Sequence, residues 1–224
     1  MPSGPEPRPS PLPNRMTPWG EEIAASARGG WVGNRGVIHS GHSIVKRSTT
    51  RGWVCCALSF KGRKRELMQP GRWTELFFLD EATAFAAGHR PCFECRRKAA
   101  LAFAEAWSRG QGLAARASAP AMDAVLNAER AHVGRRRNRE RWEHMEALPA
   151  VDLGDLGAGA MVATLGGDTP EAFLYTGDRL LRWTVAGYAD GEPDGPLRLL
   201  TPPSALAAFK AGYAPQLHES ASQR

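Results

Sequence analysis

The chain has 224 residues, 42% of them hydrophobic, enough for one large domain or two small ones. No apolar run approaches the ~18 residues that span a bilayer, which argues against a membrane protein. The net charge of +6 favours a polyanionic partner, nucleic acid first, over an acidic or membrane-buried role.

Residues 1–27 open with "MPSGPEPRPSPLPNR", Pro-rich and without the apolar core of a secretory leader. A disordered tail and a cytoplasmic setting are expected. Thiols stay reduced there, so four cysteines point to metal binding or catalysis rather than disulfides.

Residues 28–110 read as a basic module. From Arg28 to Arg72 there are ten basic residues against one acid, Glu66. "RGWVCCALSFKGR" and "RWTELFFLD" read as two strands with turn chemistry between them. "DEATAFAAG" follows as a short helix, with Asp80 as its cap and Gly88 as its stop. "RRKAALAFAEAWSRG" is a longer helix, with Ala100, Phe103, Ala104 and Trp107 on one face.

Residues 111–146 read as a helical connector. "PAMDAVLNAERAH" carries Met122, Val125 and Leu126 at helical spacing. "RRRNRERWEHMEAL" is laced with i,i+4 pairs, Arg136 to Glu140 and Arg139 to Glu143. Residues 147–215 change sign. Between Val151 and Thr201 eight acids face three arginines, and "GAMVATLG", "EAFLYTG", "RLLRWTVAGY" and "PLRLLTPP" are evenly spaced strand-like runs. A small antiparallel sheet is expected, closed by a helix over "TPPSALAAFKAGY" with Thr201 as cap and Pro202 at its first position. Residues 216–224 read as a flexible tail. The fold class is α+β: a zinc-stapled strand and helix module, a helical connector, and an antiparallel β module closed by a helix. The acidic β module is a candidate surface for a protein partner.

The chemistry concentrates at "GHRPCFECRR", residues 88–97. Cys92 and Cys95 have the spacing of two zinc ligands on a turn that enters a helix. Zinc needs four ligands, and the other cysteines, Cys55 and Cys56, are adjacent. In a strand their side chains face opposite sides, so one metal takes only one of them. His39, His42 and His89 complete the pool from which the remaining ligand would come.

The stretch "ELFFLDEATAFAAGHRPCFECRR" resembles the second half of the zinc domain of the adaptive-response (Ada-type) DNA repair family: strand, short Ala-rich helix, then a Gly-aromatic-Arg-Pro-Cys-x-x-Cys run. The likeness extends loosely over residues 53–97. It implies a Zn²⁺ site, contact with DNA, and Cys56 at the family's first position, the thiolate that accepts a methyl group. Cys56, Cys92 and Cys95 are then the expected ligands, with the fourth among His39, His42, His89 and Cys55. Phe60 stands where the family has its second cysteine, and His89 where it has an aromatic residue. The expected function is nucleic-acid binding, in DNA repair or regulation, through Arg51, Lys61, Arg63, Lys64, Arg65, Arg72, Arg96 and Arg97. Trp53, Phe60 and Trp73 are placed to stack on bases or to pack a core. The alternatives are a nucleic-acid-processing enzyme, such as a methyl acceptor using Cys56, and a protein-interaction adaptor with structural zinc.

Overall fold

The computed structural model describes residues 10–63, 66–130, 147–165 and 169–222. The α+β expectation holds. A six-stranded mixed sheet and a five-stranded antiparallel sheet are joined by helices, and a two-stranded hairpin lies apart.

The first sheet gathers β1 (Arg15–Met16), β2 (Glu22–Ile23), β3 (Trp31–Asn34), β6 (Val54–Cys56), β7 (Leu76–Phe78) and β8 (Arg90–Pro91), in the order β2-β1-β7-β3-β6-β8. The hairpin is β4 (His39–Ser40) with β5 (Ser43–Ile44). The Pro-rich segment expected as a tail therefore supplies two strands. Met16 is buried, and Arg15 pairs in parallel with Phe77 of β7. The two basic-module strands are shorter than their sequence runs because the ladder covers only three residues of each.

Helix α1 (Glu81–Ala86) is buried on every side. Its composition, small alanines around one Phe, lets two sheets approach it. Ala84 and Ala87 meet the apolar cluster of the first sheet, while Ala82 and Ala86 meet that of the second. Asp80 caps it as expected, accepting from the Thr83 backbone N–H at 2.8 Å. Gly88 follows at φ +80°, a conformation that favours glycine, and a Cβ there would sit 2.9 Å from the Arg130 side chain.

Helix α2 (Arg97–Gly110) buries Ala100, Phe103, Ala104 and Trp107 on its predicted face. It packs on α4 (Pro203–Lys210) so closely that a Cβ on Gly110 would lie 2.5 Å from the Ala207 carbonyl oxygen. In α3 (Ala119–Glu129), Met122 and Leu126 are buried, but Val125 faces solvent. The charged run at 135–148 lies almost wholly outside the described residues.

The second sheet runs β12-β11-β10-β9-β13, from β9 (Met161–Thr164), β10 (Glu171–Tyr175), β11 (Leu180–Thr184), β12 (Gly187–Ala189) and β13 (Arg198–Leu199). One apolar cluster joins Phe85, Phe103 and Trp107 to Phe173, Leu199, Phe209 and Tyr213, so the acidic sheet packs directly on α1 and α2. Thr201 does not cap α4: its hydroxyl accepts the Met161 N–H at 2.8 Å, and the helix starts after Pro202. The C-terminal stretch expected to be flexible is tied down. The Gln216 N–H donates to Glu81, the His218 N–H donates to Asp80, and residues 219–221 form a 3₁₀ turn. Among the described residues no helix is long and apolar enough to cross a membrane.

Candidate metal centre

Two short parallel strands bring the cysteines together. β6 pairs with β8 in the register Val54 to Arg90 and Cys55 to Pro91. Cys56 and Cys92 thus leave the ladder side by side, and the Cys92 N–H donates to the Cys55 carbonyl at 3.0 Å. The chain then turns, with the Arg96 N–H donating to the Cys92 carbonyl at 3.0 Å, and carries Cys95 back before α2 begins.

The Sγ atoms of Cys56, Cys92 and Cys95 all lie within 4.8 Å of one another. A tetrahedral ion with ~2.3 Å metal–sulfur bonds holds its sulfurs roughly 3.8 Å apart, so the triad fits a metal with small adjustment. Soft thiolate donors suit zinc and similar ions over calcium or magnesium. The surroundings favour a thiolate at Cys92. Its acidity rises, to a pKa of about 5, first through a hydrogen bond with the Cys56 thiol and then through backbone N–H groups of Cys95 and Glu94, against the opposing effect of burial. The Glu94 N–H lies 3.4 Å from the Cys92 sulfur. Cys56 shifts the other way, mainly because it shares that proton, and Cys95 is raised chiefly by burial.

The four candidates for the remaining ligand sit elsewhere. Cys55 is 1% exposed on the opposite face of β6, and Arg96 Nη1 donates to its sulfur at 3.4 Å. Burial, the largest effect on it, pushes the Cys55 thiol well up, so it stays protonated. His39 engages both ring nitrogens, with the Thr74 hydroxyl at 2.6 Å and the Gln69 carbonyl at 3.2 Å. His42 lies in the hairpin turn between β4 and β5. His89 is fully buried against Phe78 and Trp53, with Arg35 Nε donating to its Nε2 at 3.3 Å. Among the described residues only the three cysteines gather as metal-holding groups.

A cavity of about 350 Å³ opens on the triad, bordered by Phe60, Arg63, Trp73, Glu75 and Glu94. A wider groove of about 630 Å³ meets the centre at Cys95 and runs past Trp31, Arg97, Lys98 and Arg109. Glu75 escaped the sequence reading: only its burial, with Oε2 accepting the Met68 N–H at 2.9 Å, marks it. A carboxylate just before the "LFF" strand was the one available signal.

The expected phosphate-contacting residues divide. Arg51, Lys61, Arg63, Arg72 and Arg97 are exposed. Arg63 reaches Glu94 at 2.9 Å at the surface. Arg96 is not available for phosphate as it stands. It is buried, ion-paired with Glu81 at 2.7 Å and stacked 3.8 Å from the Trp31 ring centre, because α1 places the buried Glu81 opposite it. Lys64 and Arg65 lie outside the described residues. Of the aromatics, Trp53 is core, with the Arg35 and Arg130 guanidinium groups 4.0 and 4.2 Å from its ring, whereas Phe60 and Trp73 line the cavity. Arg35, one of the ten cations of the basic segment, is thus internal, and burial lowers its pKa to about 9.

Comparison with protein-family models, with curated proteins and with solved structures finds no match to this chain.

Proposed function

We propose that this chain is a zinc-binding protein that contacts nucleic acid, DNA first, along the basic surface beside its cysteine centre. The observation that carries the reading is the junction at Cys95. One side chain borders both the cysteine cavity, with Arg63 at its rim, and the groove lined by Arg97, Lys98 and Arg109. A phosphate backbone laid in that groove would meet Arg97, Lys98 and Arg109, which share its lining with Cys95. The Ada-type resemblance supports the same reading and extends it to repair or regulation of DNA.

Binding to single- and double-stranded DNA and RNA, measured across salt concentrations, tests this. Affinity should fall with a log-log slope of about −0.9 per neutralised phosphate on duplex DNA. Replacing Lys61, Arg63, Lys64 and Arg65 by alanine should weaken binding and flatten the slope while zinc stays bound. Absence of salt-dependent binding to all four would reject the reading in favour of a zinc-stapled adaptor.

A further inference from the structure

Three thiolates leave a tetrahedral ion one position short, and protein sites that stop at three ligands keep the fourth for water or a bound molecule. Among the described residues no fourth His, Cys, Asp or Glu joins the triad. What meets it instead is the cavity of about 350 Å³, large enough for a single heterocyclic ring and its substituents. Phe60 and Trp73 give it aromatic walls, and Glu75 gives it a buried carboxyl group. Glu75 already accepts one backbone N–H, from Met68, and a carboxylate has lone pairs for more. Three thiolates around a divalent ion carry a net charge of −1, and Glu75 lines the same cavity. Among the described residues the one cation on its border, Arg63, is paired with Glu94 at 2.9 Å. Anions are disfavoured in such a pocket, whereas neutral or cationic rings bearing N–H groups are favoured.

We propose that this cavity is a ligand pocket in which a small planar nitrogen heterocycle completes the metal's coordination, a ring nitrogen on the ion and a ring N–H on Glu75. The inference rests on the metal-binding reading above and adds an open coordination position to it. No covalent step is involved: the ring displaces water from the fourth position, and dilution reverses it.

The test uses the full chain loaded with cobalt(II), whose sulfur-to-cobalt charge-transfer absorption reports thiolate ligation and whose visible d–d bands report the fourth donor. Imidazole is the probe and acetate the counter-probe. The expected result is charge-transfer intensity for three thiolates, d–d bands that shift saturably with imidazole, and no comparable shift with acetate. Glu75→Gln should retain the charge-transfer band and weaken imidazole roughly tenfold, the effect of losing one charge-assisted hydrogen bond. Missing charge transfer would overturn the metal reading itself. Intact charge transfer with d–d bands indifferent to imidazole would overturn the open position alone. Acetate binding as well as imidazole, or a Glu75→Gln variant that binds imidazole unchanged, would overturn the assigned ligand class.

Discussion

Cys55 and Cys56 are consecutive in β6 and serve opposite faces of the sheet. The Cys55 sulfur receives Arg96 Nη1 at 3.4 Å inside the first core, while Cys56 joins Cys92 and Cys95 at the cavity. One residue of register separates a packing thiol from a thiol of the cysteine triad. Cys56→Ser should therefore abolish metal binding. Cys55→Ala should keep the metal and cost about 1 kcal/mol, which in a chain of this size lowers the melting temperature by roughly 2–4 °C. Metal content and thermal melting of the two variants check this together.

Asp80 ties the second sheet and the C-terminal segment to α1. Its Oδ1 accepts from the Thr83 N–H and hydroxyl, and its Oδ2 accepts from the Tyr188 hydroxyl at 2.7 Å and the His218 N–H at 3.1 Å. Asp80→Ala removes a cap and strands buried donors, so a loss of about 3–4 kcal/mol is expected. Tyr188→Phe should cost about 1–2 kcal/mol. In the double variant the two losses should fall short of their sum, since both break the same contact. Denaturant unfolding of the three proteins measures this.

His89 should make stability pH-dependent. Burial, reinforced by Arg35 and Arg130, holds its pKa well below the usual value, so the folded chain keeps it neutral. Once unfolded it takes up a proton below about pH 6.5, a proton the folded state refuses. Its contribution is therefore full above the unfolded pKa and is lost as pH falls, by up to ~1.4 kcal/mol per unit. His89→Phe loses the acceptor for Arg35 and should be the weaker protein at pH 7.5. Its deficit should shrink towards pH 5.5, because only the parent carries the imidazole whose protonation in the unfolded chain costs stability there. Parallel stability profiles would contradict the assignment.

Arg97 and Lys98 are exposed on the first turn of α2 and border the groove. If the groove carries phosphates, alanine at both should reduce the magnitude of the salt slope by up to about 1.8. Arg96→Ala should act differently, through loss of the Glu81 pair and the Trp31 stack, and should show first as a lower melting temperature. Binding isotherms at several salt concentrations, with melting curves alongside, separate the two.

Local signals were legible in the chain and non-local ones were not. The Asp80 cap and the apolar face of α2 depend on neighbours a few residues away, and both appear as read. The alternation of Cys55 and Cys56 follows from strand geometry alone. The strands at Arg15–Met16 and Glu22–Ile23 could not be read, because two-residue strands have no period and the pair joins the sheet only where Arg15 meets the distant Phe77. Thr201 looked like a cap by its position, but its hydroxyl is claimed by Met161, forty residues away. Arg96 looked like a phosphate ligand because nothing in its own segment announces Glu81 folding over it. The cavity beside the triad is a related case: Phe60, Trp73 and Glu75 all lie in the irregular connection between β6 and β7, which has no period to show that its two ends meet at the cysteines.

The most direct test of the central claim is X-ray absorption at the zinc edge on the full-length protein purified under reducing conditions, with metal content measured on the same sample. About one zinc per chain, with a shell of three sulfurs at ~2.3 Å and one nitrogen or oxygen, is the predicted result. A protein that carries no zinc and melts unchanged after chelation, or one whose zinc has no sulfur neighbours, would contradict it.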